Sequence, residues 1–309
     1  MDEIRVFAPA TVANVSCGFD ALGFAVAELG DELLLRKRSN RDVTISNIEG
    51  AELPTDPKKN VAGVVAEAML TAANADFGLD IQLIKKYKPG SGLGSSAASS
   101  AGTAYGVNQL LGGPYSTEAL VEFSRLGEAL ACGTPIADNV SAALFGGFVL
   151  VRNLDPLHVI SLPTPPNLYV TLIHPQIEIK TADARSVLPR QIPLETATKQ
   201  WAHVGAFVHA LHTSDVELLR AAMFDGVAEP ARKGLIPLFD EARAAALENG
   251  ALGLGISGSG PTLFALSEGK NTAILVAQAL TRLYSVSDIA FRTYVSNISE
   301  HGVRTLTQS

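Results

Sequence analysis

The segment that most constrains this chain is Pro89-Gly90-Ser91-Gly92-Leu93-Gly94-Ser95-Ser96-Ala97-Ala98. Three glycines in five positions leave the main chain without β-carbons, so successive N–H groups can turn toward one anion. The residues that follow, 95–111, are mostly small and contain no proline, and they read as a buried helix. The serines at its start can cap the helix, whose positive dipole end then faces the same anion. This is the design of a phosphate cradle. It is not the usual P-loop, because no Lys-Ser or Lys-Thr pair follows the last glycine. A flexible hairpin ahead of a packing helix would share the composition; direct entry into the helix favours the cradle.

Around this segment the pattern is mixed. Strands are expected at 4–8, 32–36, 43–48 and 79–87, the last alternating with Ile81 and Leu83 on the apolar face and Gln82 and Lys85 on the polar one. Helices are expected at 61–75, 95–111 and 118–131, followed by a strand at 148–151. Asp155-Pro156 and Pro163, Pro165 and Pro166 then mark a boundary, which divides the chain into 1–155 and 156–309. Beyond it come strands at 169–174, 252–257, 262–266 and 288–295, with helices at 195–212, 215–224, 235–248 and 272–283. At roughly 150 residues per domain, 309 residues make two such lobes.

Composition excludes several classes. Hydrophobic residues are 47% and charged residues 18%, and the longest uncharged stretches are broken by Gly, Pro or Ser well short of a membrane span, so a soluble globular protein with no membrane partner is expected. A net charge of −7 offers no basic face for a phosphodiester backbone, so no nucleic acid is expected. Cys17 and Cys132 cannot build a disulfide framework, and His209 and His212 lack a third metal ligand nearby in sequence. The start Met1-Asp2-Glu3-Ile4-Arg5 has acids where a signal peptide is basic, which points to the cytoplasm.

Two other segments contain clustered small and polar residues. Gly253-Leu254-Gly255-Ile256-Ser257-Gly258-Ser259-Gly260-Pro261 has the spacing of a dinucleotide fingerprint, but it runs into a strand instead of opening a helix. Such a loop either lets a ligand approach the backbone or simply joins two strands. In the segment 7–20, Asn14 and Asp20 could bind a ligand hydroxyl or make ordinary turns. Neither Gly-rich segment has the Gly-x-Ser-x-Gly elbow of a serine hydrolase.

Taken together, residues 89–98 resemble the second signature of the GHMP small-molecule kinases, while 8–24 and 255–266 resemble the first and third. Order and spacing agree over nearly the whole chain. Within that family, Ala8-Pro9-Ala10-Thr11, Gly18-Phe19-Asp20, Asp138-Asn139-Val140, the segment 182–189 and Glu229-Pro230-Ala231-Arg232 are similar to the branch that phosphorylates L-homoserine.

The resemblance implies an α+β fold of two lobes, with the active site in the cleft between an N-terminal and a C-terminal mixed α/β domain. It implies transfer of the γ-phosphoryl group of ATP to the side-chain hydroxyl of L-homoserine, giving O-phospho-L-homoserine in threonine biosynthesis. ATP would be held by Asn60, Val61, Pro89, Gly90, Ser91, Gly92, Leu93, Gly94, Ser95 and Ser96, and Mg²⁺ by Ser96 and Glu128. Asn14, Asp20, Asn139, Thr181, Arg185 and Arg232 would form the acceptor pocket, the two arginines taking the carboxylate. The catalytic set is then Asn139, Asp20, Ser96 and Glu128. A homodimer suits an enzyme of this type, although no apolar stripe in the sequence places an interface.

Two departures from the family pattern stand out. Asn139 occupies the place where mevalonate-type members have an aspartate, and an amide cannot take a proton, so a base-free or substrate-assisted mechanism is expected. Ile136 stands where the homoserine branch commonly has a histidine. The competing readings are a GHMP kinase with a mevalonate-type acceptor, and a non-catalytic nucleotide-binding regulator.

Overall fold

The computed structural model of the chain describes residues 1–306. Its framework is a long antiparallel pair, β1 (Glu3–Ala13) and β2 (Leu22–Arg38), with a register shift between Pro9 and Thr11. Both strands run well beyond the expected 4–8 and 32–36, because Gly30 and the small residues at 8–13 continue the ladder where alternation in sequence is lost. The other members of this sheet are β3 (Val43–Glu49), β4 (Gly78–Ile84), β5 (Phe148–Leu154), β6 (Leu157–Leu162) and β11 (Arg304–Thr305). The parallel neighbours β3 and β4 are joined through α1 (Val61–Ala72). One end of β2 pairs with β4 and the other with β5, so β2 carries both arms of the seven-stranded sheet.

Helix α2 (Ser95–Leu110) lies directly on β1 and β2 and is buried along nearly its whole length. Its small residues permit that approach. A β-carbon at Gly102 would stand 2.6 Å from Leu33 Cδ1, and one at Gly106 would stand 2.8 Å from Leu35 Cδ1. Helices α3 (Thr117–Cys132) and α4 (Asp138–Phe145) pack beside α2. The eight residues of α4 are too few to show a helical period, and no helix was anticipated there.

The β5–β6 hairpin belongs to the first sheet, so the chain crosses to the second through the prolines at 163, 165 and 166. The second sheet has the order β10-β7-β9-β8 and is antiparallel, with β7 (Leu168–Pro175), β8 (Gly253–Ile256), β9 (Leu263–Glu268) and β10 (Phe291–Asn297). Helices α5 (Thr181–Ser186), α6 (Leu194–Thr213), α7 (Val216–Ala222), α8 (Ala228–Arg232), α9 (Phe239–Glu248) and α10 (Lys270–Ser285) complete this part. The helix expected from 235 begins only at Phe239, because 233–235 form a 3₁₀ turn and Leu238 has a φ of 60°.

The two sheets share one apolar core. Phe24 on β2 meets Phe148 on β5 with ring centroids 5.0 Å apart, and meets Phe264 on β9 edge-on at 6.0 Å. An isolated bridge between Val26 and Ile298 joins the sheets through the backbone. Interlocking of this kind fixes the cleft walls relative to each other.

Candidate active site

The glycine loop at 89–94, the expected phosphate loop, leaves the end of β4 and enters α2. Gly90, Gly92 and Gly94 all adopt left-handed φ values, 73°, 80° and 66°, which side chains rarely tolerate. Gly94 itself is the N-cap, and no side chain caps the helix. The anticipated serine caps are absent because Ser95 and Ser96 already lie inside the first turn. The N–H groups and positive dipole of that turn are therefore left for an anion.

The third glycine segment braces this loop. The Ser257 hydroxyl donates to the Gly92 carbonyl at 2.7 Å, and the Thr262 hydroxyl donates to the Ser91 carbonyl at 2.6 Å. A β-carbon on Gly92 would stand 2.5 Å from the Ser257 carbonyl oxygen and 2.7 Å from that of Gly260. Gly258 also ties to the first segment, donating its N–H to the Ala13 carbonyl at 3.1 Å and accepting from Asn14 Nδ2 at 2.8 Å.

A cavity of about 680 Å³ opens over the loop between the two sheets. Every anticipated site residue lines it except Ser91 and Leu93, whose side chains are buried in the body of the protein. The Leu93 N–H turns back to Ser91 Oγ at 3.3 Å, so of the loop's main chain it is the flanking glycines and the helix start that reach the cavity. At the far end Asn60 is occupied structurally: its Oδ1 caps α1 at the Ala62 N–H, and its Nδ2 donates to the Pro54 carbonyl. Leu53, Pro54 and Val61 make an apolar wall there.

Glu128 on α3 and Ser96 on α2 share the middle of the cavity. Burial raises the Glu128 carboxyl from 4.5 to about 7, the Ser96 hydroxyl beside it acts in the opposite sense, and Oε1 has no hydrogen-bond partner. An orphaned buried carboxylate oxygen next to a hydroxyl fits a hard cation that takes its remaining ligands from phosphate and water. Among the described residues no cluster of three or more His, Cys, Asp or Glu could hold a metal ion by itself.

At the other end of the cavity, Asn14, Val15 and Ser16 are three consecutive left-handed residues, with φ of 71°, 43° and 56°, and Asp20 follows at 55°. Strain at a β-branched residue such as Val15 costs about 1–3 kcal/mol and persists only where the surroundings fix it. Here Asn14 Oδ1 accepts the Asp20 N–H at 3.0 Å, which aims the carboxylate into the cavity. Arg185 from α5 meets it, and Arg232 at the end of α8 donates to the carbonyls of Ala184 and Gly258, each at 3.0 Å. Asn139 Oδ1 accepts from the Thr11 hydroxyl at 2.7 Å, and its N–H donates to Asp138 Oδ1 at 2.8 Å. Burial, reinforced by the charge of Asp20, raises the Asp138 carboxyl to about 7. Ile136 forms part of the same wall.

The alternation expected over 79–87 puts Lys85 on the polar face, and the structure reverses this. Lys85 is in phase with Ile81 and Leu83, and its ammonium is buried, donating to Asp31, to the Ser95 carbonyl at 2.9 Å and to Ser99 Oγ at 2.9 Å. A charge at an inward position just ahead of the glycines was the available signal. Thr11 and Asp138 gave none, because their role arises only when β1 and α4 come together.

Family models for the GHMP kinases N terminal domain and the GHMP kinases C terminal domain match residues 60–147 and 207–286. The chain belongs to the GHMP kinase family. This GHMP kinase is 45% identical over 320 residues to homoserine kinase of Chlorobium phaeobacteroides, covering 99% of this chain and 100% of that one. It superposes on the crystal structure of homoserine kinase from Cytophaga hutchinsonii with a TM-score of 0.96 and 48% identity, covering 99% of this chain and 98% of the other. The L. major mevalonate kinase in complex with R-mevalonate shares the fold, at a TM-score of 0.72 and 16% identity, with 94% and 95% of the two chains covered. The mixed α/β architecture of this GHMP kinase is thus the family's fold, as expected.

Proposed function

We propose that this GHMP kinase transfers the γ-phosphoryl group of ATP to the side-chain hydroxyl of L-homoserine, yielding O-phospho-L-homoserine for threonine biosynthesis. The observation that carries the reading is one continuous cavity, which joins an uncapped helix N-terminus under a glycine loop to a pocket holding an acid and two arginines. The first part suits a triphosphate and the second an amino-acid zwitterion. The full-length likeness to homoserine kinases agrees with it.

In this reading the adenine lies against Leu53, Pro54 and Val61, and the N–H groups at the start of α2 hold the phosphates. Ser96 and the ionised Glu128 hold Mg²⁺, which when bound neutralises charge on the phosphate oxygens. Asp20 takes the substrate ammonium, Arg185 and Arg232 take the carboxylate, and Asn14 and Thr181 complete the pocket. Asn139 is held by Thr11 at Oδ1 and by Asp138 at its main-chain N–H and, at 3.4 Å, at Nδ2, and its second amide N–H meets the acceptor hydroxyl in this reading. The hydroxyl oxygen forms the new bond to phosphorus as the bond to the bridging oxygen of ADP breaks, and its proton passes to a phosphoryl oxygen. Positioning and charge neutralisation supply the rate, as phosphoryl transfer requires.

A mevalonate-type acceptor has no ammonium for Asp20, and a regulator without turnover has no need of Ser96, Glu128 and Asn139 around one cavity. The enzyme is read as cytoplasmic, working on small soluble metabolites; among the described residues no helix is long and apolar enough to cross a membrane. The test is coupled ADP release from Mg-ATP with L-homoserine, beside mevalonate, shikimate, L-serine and no acceptor, with Glu128→Ala as control. Selective turnover of homoserine, lost in the control, supports the assignment. Turnover of another alcohol in its place would overturn the acceptor, and silence with every acceptor would overturn the activity.

A further inference from the structure

Asp20 and Arg185 are bound to each other. Nη2 of Arg185 donates to both carboxylate oxygens of Asp20, at 2.9 and 3.0 Å, across two elements 165 residues apart in sequence. These are also two of the groups that a zwitterionic acceptor needs, so any ligand that uses one of them takes it from the other.

The two ends of the pair are held differently. Asp20 is fixed by its left-handed backbone and by the bond from its N–H to Asn14 Oδ1. Arg185 sits on a six-residue helix, and its Nε is buried without a partner. Its guanidinium therefore has a donor still unused, and among the described residues its side-chain hydrogen bonds go to Asp20, with the Phe19 ring centroid 5.9 Å from its Cζ. Arg232 contrasts with it. Nε and Nη1 of Arg232 are tied to the carbonyls of Ala184 and Gly258, so main-chain bonds hold it, and Asp20 acts on it only as a nearby charge.

We infer that the Asp20–Arg185 ion pair is a charge latch that selects for an α-amino-acid zwitterion over hydroxy acids and amino alcohols. The inference rests on the acceptor assignment made above. A ligand with both charges exchanges one ion pair for two. A ligand with a carboxylate alone that engages Arg185 takes it from Asp20 with nothing to offer in return, and a ligand with an ammonium alone does the reverse. Leaving a partly desolvated charge without its partner is costly. Rejection of singly charged acceptors therefore exceeds the loss of one contact, and it is built into the protein as well as into the ligand.

The latch makes a prediction of unusual sign: removing the acid improves binding of the wrong ligand. Calorimetry on the full chain would measure L-homoserine, 4-hydroxybutanoate, which lacks the ammonium, and 3-aminopropan-1-ol, which lacks the carboxylate. Asp20→Asn is expected to weaken homoserine at least tenfold and to tighten 4-hydroxybutanoate about fivefold, the scale of a half-exposed ion pair released. Asp138→Asn alters a carboxyl that is bonded to Asn139 and not to Arg185, and it should tighten the hydroxy acid clearly less than Asp20→Asn does. Arg185→Gln gives the mirror result, tighter 3-aminopropan-1-ol, and serves if Asp20→Asn does not melt cooperatively. Unchanged or weaker 4-hydroxybutanoate binding in Asp20→Asn overturns the latch, as does equal tightening by Asp138→Asn. Failure of wild type to phosphorylate homoserine would overturn the acceptor assignment instead, so the two failures are distinct.

Discussion

The Ser257 hydroxyl lies 2.7 Å from the main-chain carbonyl of Gly92 and donates to it, binding a loop of the second sheet to the phosphate loop of the first. Gly92 has a φ of 80°, and the carbonyls of Ser257 and Gly260 occupy the space a side chain would need. Gly92→Ala is therefore expected to lower unfolding stability by about 3 kcal/mol in urea titrations. Ser257→Ala removes one buried hydrogen bond, about 1–2 kcal/mol, and should raise the KM for ATP more than that for the acceptor.

Lys85 and Asp31 are both 1% exposed. Lys85→Met strands the buried carboxylate and should cost about 3–5 kcal/mol, while the double variant Lys85→Met, Asp31→Leu recovers part of that loss. Chemical denaturation of the two proteins measures the difference. A double variant no more stable than the single would show that the ammonium acts mainly through Ser95 and Ser99.

Glu128 carries a pH signature. Its carboxyl is raised from 4.5 to about 7, so between those values the folded protein keeps a proton that the unfolded chain releases. The stability this group contributes is present below about 4.5 and lost as pH rises through 7. Glu128→Gln should thus stabilise the protein at pH 8 by up to about 3 kcal/mol and change little at pH 5. If Glu128 holds magnesium as proposed, binding of the magnesium nucleotide needs the ionised form, and the wild-type KM for Mg-ATP should fall as pH rises toward 8. With no base in the reaction, kcat at saturation stays flat from pH 6 to 8; a steep acidic limb in kcat would contradict that mechanism.

Asn139→Asp tests the same point from the other side. The Thr11 hydroxyl would still find an oxygen, but the amide donor is lost and a charge is added beside Asp138. A fall in kcat of about 10²-fold with no new acidic limb is expected. Higher turnover with a limb near the new carboxyl would show that a base can work there.

Ile136 lines the cavity on the loop between α3 and α4. Ile136→His should keep turnover and lower the KM for homoserine several-fold, by adding a polar contact near the acceptor. Collapse of activity would mean that the isoleucine shapes a different pocket.

The parts of the site that lie close together in sequence were legible there. Gly90 to Ser96 reads as a cradle from its composition and lines the cavity with three left-handed glycines, and Arg185 and Arg232, which line it too, are reached through motif resemblance. Partners brought together by folding were not legible. Nothing near Thr11 in sequence points to Asn139, and nothing near Ser257 points to Gly92. The misplaced Lys85 shows a further limit: a charged side chain was assumed to face water, although its phase in the strand put it inside. The missed helix at Asp138–Phe145 and strand at Leu157–Leu162 are short, and their periodicity is too brief to detect.

The brace between the two glycine loops also bears on how such a chain can be divided. The phosphate loop holds its shape against carbonyls and hydroxyls that come from more than 150 residues downstream. Residues 1–162 expressed alone would carry the sequence of a nucleotide site without the surface that shapes it. An exchange of C-terminal halves between relatives would therefore alter nucleotide handling as well as acceptor choice, unless the incoming half brings hydroxyls that match Ser257 and Thr262.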